Sequence, residues 1–158
     1  MERIVVKITT GVYWGVLRER LLRRAFLSSK AEESAPESFL ERLRPYLEGR
    51  GDPLFSLRDL DLEGYSPRII RVFETLRRTA PFGRTVSYGE LARIAGEHPR
   101  FVGYCMRINR FPLVIPCHRV VSSRGVGGFS YGIDLKRRLL SFEGSELPAE
   151  VPEGSAEG

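Results

Sequence analysis

The sequence predicts an α/β (α+β) chain: a small antiparallel sheet in the N-terminal part and a mostly helical second half. Three observations carry this. Residues 3–18, RIVVKITTGVYWGVLR, are rich in β-branched and aromatic side chains and alternate, and read as one strand or as a hairpin turning at Thr10-Gly11. From Ser66 onward apolar residues recur at helical spacing in successive stretches. Between the two lie the breakers EGRGDP (48–53) and EGYSP (63–67), which set a boundary near Glu63–Ser66.

The elements follow in order. Residues 28–38, SSKAEESAPES, are polar and read as a loop. Phe39 to Leu47 reads as a short helix with Phe39, Leu40, Leu43 and Leu47 on one side, and LFSLRDLDLEGYSP as an extended connection. Ser66-Pro67 opens a helix, an N-cap followed by proline in the first turn, and Ile69, Ile70, Phe73 and Leu76 give it an apolar face. In TVSYGELARIAG, Ser87 and Glu90 have capping-box spacing, Leu91, Ile94 and Ala95 supply the buried face, and Gly96 is the stop. RFVGYCMRIN starts another helix near Arg100 with Val102, Cys105 and Met106 inward, so the pair is a helix-turn-helix candidate. LVIPCHRVV is too short and proline-broken for a helix, and SSRGVGGFSYG reads as a loop. DLKRRLLSFEG is a last helix, with Asp134 as N-cap and Gly144 beyond its end. The domains are therefore expected at 1–63 and 64–145, followed by an acidic disordered tail over 146–158.

Composition narrows the function. The 158 residues are 42% hydrophobic and 28% charged, and no apolar run approaches the roughly 20 residues that span a bilayer. The opening MERIVVKITT lacks the features of a signal peptide, so a cytoplasmic protein with no membrane partner is expected. Net charge is +5, and of 25 basic residues 22 are Arg, a side chain whose planar fork suits phosphate and base edges. There is no Gln and one Asn, which fits a thermophile. The two Cys and two His lie at 98, 105, 117 and 118, without zinc-ligand spacing, so no metal is expected.

The residues that carry chemistry are Cys117 and His118. A thiol is a strong nucleophile only as thiolate, and a neighbouring histidine can take its proton directly or through a water. Adjacent side chains on an extended segment point apart, so the pair needs a turn, and Pro116 makes one plausible. An inert buried cysteine remains the alternative at this point, and it is the reading for Cys105.

IPCHRVV, with SYGELA upstream and LLSFEG downstream, resembles the O6-alkylguanine-DNA alkyltransferase (methylated-DNA–protein-cysteine methyltransferase) family from about Pro67 to Gly144. The resemblance implies a ribonuclease-H-like N-terminal domain and a winged helix-turn-helix in the C-terminal one. It implies direct-reversal DNA repair: irreversible single-turnover transfer of an alkyl group from O6-alkylguanine to Cys117, with the base flipped out through a helix in the minor groove. His118 resembles the base, Glu143 the carboxylate that orients it, Asn109 the hinge asparagine and Tyr88 the proton donor to the departing guanine. Arg100 falls at the arginine finger, with Arg107 and Arg119 as further DNA contacts. Pro112, Val126, Gly127, Phe129, Ser130, Tyr131 and Lys136 fall around the substrate pocket. Phe101 stands where a small residue is usual and is expected to crowd the groove face. No cofactor is implied, because the lesion itself carries the transferred group. The implied partner is double-stranded DNA with O6-alkylguanine, acted on by a monomer. Two other classes compete: a non-catalytic lesion binder of the alkyltransferase-like type, which lacks the cysteine, and a Cys-His hydrolase with turnover.

Overall fold

A computed structural model describes residues 1–146 of the chain, so all of the expected tail except Glu146 lies outside the described residues. Strands β1 (Glu2–Thr9), β2 (Val12–Arg18) and β3 (Leu22–Ser28) form an antiparallel sheet in chain order. Of the two readings of residues 3–18, the hairpin is the one formed, turning at Gly11 with φ 74°. β3 was not foreseen. Its arginines Arg23 and Arg24 interrupt the apolar pattern, yet Leu22, Ala25 and Leu27 are buried.

One face of the sheet takes helix α1 (Glu37–Leu47), which buries Phe39, Leu43 and Tyr46. Trp14 of β2 stacks on Phe39 with ring centroids 6.0 Å apart, and Phe55 closes the aromatic cluster. The connection that follows is not simply extended: Leu57–Asp59 make a 3₁₀ turn, and Leu60 bridges to Leu22 of β3.

Helix α2 (Pro67–Thr79) begins as expected, with Ser66 Oγ accepting from the Ile69 amide at 3.2 Å. Two-residue strand β4 (Val86–Ser87) leads into α3 (Tyr88–Ala95), whose cap Ser87 Oγ accepts from the Glu90 amide at 3.0 Å. The reciprocal half of the expected box is replaced: the Glu90 carboxylate takes Arg93 at 2.7 Å instead. Ile94, expected inside, is 41% exposed, and Ala92 is buried with Leu91. Gly96 ends the helix at φ 71°, a conformation that costs a residue with a Cβ about 1 kcal/mol.

Helix α4 (Pro99–Arg107) buries Val102, Cys105 and Met106 as expected. Its N-cap is His98, to which the sequence assigned no role, and whose Nδ1 accepts from the Arg100 amide at 3.0 Å. β5 (Val120–Val121) pairs in parallel with β4. The last helix, α5 (Ile133–Phe142), is capped by Gly132, not Asp134. Asp134 sits inside the first turn, where it pairs with Arg138 at 2.9 Å.

The buried cluster runs continuously from the sheet through α1 to α2–α5. Two bonds fasten the sheet to the loop that follows α4. Trp14 Nε1 donates to Pro112 O at 2.8 Å, and the Ala25 amide donates to Arg110 O at 2.8 Å. No helix among the described residues is long and apolar enough to cross a membrane.

Candidate active site

The loop from Asn109 to Pro116 delivers the cysteine. Asn109 braces both ends of it: its Nδ2 donates to Ile115 O at 2.9 Å, and its Oδ1 accepts from the Phe111 amide at 2.8 Å. Tyr65, which the sequence did not single out, spans the entry, donating to Ile108 O at 2.6 Å and accepting from the Arg110 amide at 2.8 Å. Within this brace Leu113 holds φ 80°, a strained value for a residue with a side chain. Pro116 then starts a 3₁₀ turn over Cys117–Arg119. In such a turn successive side chains stand about 120° apart, not opposed as on a strand, so Cys117 and His118 can serve one site.

His118 is fully buried, and its Nε2 lies 2.7 Å from Glu143 Oε2. With Glu143 ionised, Nε2 carries the proton and donates, which leaves the lone pair on Nδ1. Nδ1 has no hydrogen-bond partner among the described residues. Burial holds the imidazole below its usual pKa, against the pull of Glu143, so the neutral base is favoured.

Glu143 sits at the end of α5, where a carboxylate opposes the helix dipole, and it is 4% exposed. Three donors hold it there. Besides His118, Arg119 Nε donates to Oε1 at 2.7 Å, and Tyr46 Oη donates to Oε2 at 2.6 Å. Burial alone would raise this carboxyl, but His118 and Arg119 outweigh it and hold it at about 2. Arg119 is itself buried, with Nη2 2.7 Å from Asp52 Oδ1 and Nη1 donating to Ala80 O at 3.0 Å. Arg119 was expected to contact DNA. At 1% exposure it is instead an internal counter-ion. Tyr46 and Asp52 come from the N-terminal half, and no local signal in the sequence ties them to this site.

Cys117 is 6% exposed and opens into a cavity of about 300 Å³. Tyr88, the first residue of α3, forms one wall, and Gly103, Met106 and Arg107 of α4 another. Gly128, Phe129 and Ser130 close it. Burial pushes the thiol up to about 11, while Asn109 and the Lys136 ammonium pull the other way. Tyr88 is raised by burial and, in smaller part, by Cys117, so it stays a proton donor.

Lys136 does not line this cavity. Its Nζ donates to Val120 O at 2.7 Å and to Gly128 O at 2.9 Å, stapling the cavity loop to β5, and burial lowers it to about 8. Gly127 also acts from behind: at φ 78°, a Cβ here would come within 3.2 Å of the Ser122 amide and 3.4 Å of the Tyr88 ring. Val126 lines a different cavity, the Pro112 carbonyl accepts from Trp14, and the Tyr131 ring lies 5.7 Å from that of Phe129. Gly103, Met106 and Gly128 were missed, since small or apolar residues give no chemical signal. Arg100 is exposed on the first turn of α4, outside the cavity lining.

A larger cavity of about 400 Å³ lies behind the loop, between Asp52, Arg77, Pro116 and Arg119, but it holds no nucleophile. Cys105 is fully buried, and burial raises its thiol to about 11, so it stays inert. Among the described residues no three His, Cys, Asp or Glu gather as a metal site.

The chain is similar to known proteins in sequence and in fold. Residues 69–145 match the family described as 6-O-methylguanine DNA methyltransferase, DNA binding domain. Methylated-DNA–protein-cysteine methyltransferase of Thermococcus kodakarensis is 39% identical over 109 residues, 69% of this chain and 63% of that protein. The match thus spans under two thirds of that relative. The protein of the same name from Saccharolobus islandicus is 37% identical over 117 residues, 74% of this chain and 75% of its own. The crystal structure of O6-methylguanine-DNA methyltransferase from Pyrococcus kodakaraensis superposes with a TM-score of 0.76 at 30% identity, covering 90% of this chain and 99% of that one. That of Mycobacterium tuberculosis OGT in complex with DNA gives 0.70 at 27% identity, covering 89% and 92%. Similarity of this extent, in sequence and in fold, places the chain in the methylated-DNA–protein-cysteine methyltransferase family.

Proposed function

We propose that this protein repairs O6-alkylguanine in double-stranded DNA by moving the alkyl group irreversibly to Cys117, once per chain. The observation that carries the reading is a buried Cys117 opening on a cavity walled by Tyr88 and by the arginine-bearing helix α4, next in the chain to the buried His118–Glu143 pair. The lesion atom is buried in duplex DNA, so the nucleotide must leave the stack to meet a thiol in a cavity. In this reading α3 and α4 act as the helix-turn-helix, within a winged C-terminal domain (64–145). α4 lies in the minor groove, Arg100 fills the gap left by the flipped nucleotide, and Arg107 stands at the cavity rim. The sheet half (1–63) is the ribonuclease-H-like support. The relative from M. tuberculosis was crystallised with DNA, which supports a DNA partner.

The chemistry balances without a cofactor. Neutral His118 takes the Cys117 proton at Nδ1 through a water, and the imidazolium so formed is paired by Glu143. The thiolate attacks the alkyl carbon, forming an S–C bond as the C–O6 bond breaks. The electron pair leaves with guanine, which takes a proton from Tyr88, and the tyrosinate recovers one from His118 through solvent. The product is a thioether, which nothing in the site can cleave, so the chain is consumed. Lys136 and Asn109 stabilise the thiolate as it forms. A monomer and a cytoplasmic location belong to the same reading.

A duplex carrying O6-methylguanine with a labelled methyl group tests this. Label is expected to move to the protein, and Cys117→Ala to keep DNA binding and accept none. Binding without transfer by the unmodified chain would make it a lesion binder, and release of product over many turnovers would make it a hydrolase.

A further inference from the structure

Helix α4 offers solvent an arc of Arg100, Gly103, Tyr104 and Arg107, spaced as neighbours on one helical face. The cavity takes Gly103, Met106 and Arg107 from the helix and so lies along one edge of that arc. At 100° per residue, Tyr104 falls on the opposite edge, facing away from the cavity. It is 42% exposed, one of the few large apolar-bodied side chains so open. Its ring lies 6.2 Å from that of Phe101, and the Arg107 guanidinium lies 5.6 Å from its centroid. Phe101, expected to crowd the groove face, is half-buried. The Arg68 guanidinium covers it at 4.0 Å, and Glu97 fixes that arginine with a bond of 2.7 Å. Tyr104 is therefore the aromatic ring that stands proud of the helix, backed by Phe101 on a surface that carries Arg68, Arg100 and Arg107.

We propose that Tyr104 packs against the strand opposite the lesion, as an aromatic wedge that props the groove open while the lesion nucleotide turns into the cavity. The inference rests on the alkyl-transfer reading and adds a residue to it. A flipped nucleotide occupies the cavity edge of α4, so the other edge must meet the complementary strand. Aromatic and apolar side chains in a minor groove unstack base steps, and the bending they allow lets more protein surface meet the duplex. A ring laid on a base or sugar contributes without reading sequence, which suits a protein that must act wherever the lesion falls.

The test compares three substrates in single-turnover transfer: a duplex with O6-methylguanine, the same strand unpaired, and free O6-benzylguanine. For Tyr104→Ala the expected result is a loss of about tenfold or more on the duplex, the scale of one stacked ring, with the other two rates unchanged. Tyr104→Phe should retain the duplex rate, since the ring makes the contact. The unpaired strand and the free base serve as the folding control. Equal losses on all three substrates, or an unchanged duplex rate, overturn the role of Tyr104 while leaving alkyl transfer intact. Unmodified protein inert on all three overturns the transfer reading, and this inference with it.

Discussion

At the scale of single residues, the site is a strongly coupled set of buried groups whose protonation is fixed by their neighbours. Glu143 ionises at about 2 because His118 and Arg119 outweigh its burial, and His118 stays neutral because burial disfavours its cation. Both folded-state values lie below the unfolded ones, so both groups stabilise the fold above the unfolded pKa and lose that contribution as pH falls. Chemical denaturation across pH should show stability dropping below about 6.5, and further from about 4.5 towards 2, with the lower fall flattened in Glu143→Gln. The acid limb of single-turnover transfer should lie below pH 6.5, and His118→Ala should slow transfer by about 10²–10⁴-fold. A limb well above 6.5 would mean that His118 is not held as the neutral base. Cys117, His118 and Glu143 were legible in the sequence because the residues around them form a specific pattern. Arg119 was misread because an arginine looks the same in sequence whether it meets phosphate or a buried carboxylate.

Among the elements, α1 does the least expected thing. Its apolar face was readable from Phe39 and Leu43, but Tyr46 lies 97 residues from the carboxylate it bonds, and no periodicity reports such a pair. Tyr46 Oη and His118 Nε2 share Glu143 Oε2, so removing the hydroxyl makes that oxygen a stronger partner for the imidazolium. Tyr46→Phe should therefore raise the His118 pKa and move the acid limb of transfer upward. It should also cost about 1.5–3 kcal/mol in denaturation, the worth of a hydrogen bond to a charged group. A stability loss with the limb unmoved would assign the tyrosine to packing alone. The helices α2 to α5 were legible through caps and spacing, with an error of two residues where two caps competed, Gly132 against Asp134. β3 escaped because the pairing jumps from Leu17↔Arg24 to Arg18↔Leu22, and the bulge at Arg23 sets two exposed arginines in succession and breaks the alternation.

In the molecule as a whole, the sheet half holds the active-site loop by two hydrogen bonds and an ion pair. Only Ala25 to Arg110 runs between backbones; the Trp14 indole reaches Pro112 O, and the Asp52 side chain pairs with Arg119. The loop these contacts brace includes Leu113 at φ 80°, a conformation that persists only where its surroundings over-determine it. Trp14→Phe leaves Pro112 O buried without its donor, at a cost of about 1–3 kcal/mol. Transfer should slow on duplex and free base alike, because the cysteine loop and not the DNA contact is disturbed. An effect confined to duplex would place the sheet half in DNA binding. Such long-range contacts explain why the N-terminal half could be read as sheet-bearing yet its task could not.

Transfer by this site ends with one alkyl group per chain, carried on one sulfur. Mass measurement of the intact protein after incubation with excess O6-methylguanine duplex, followed by peptide mapping, tests this directly. The prediction is a gain of a single methyl group in place of a hydrogen, on the peptide containing Cys117, with no further uptake on longer incubation. An unmodified Cys117 alongside demethylated DNA, or methyl groups found on Cys105, would contradict it.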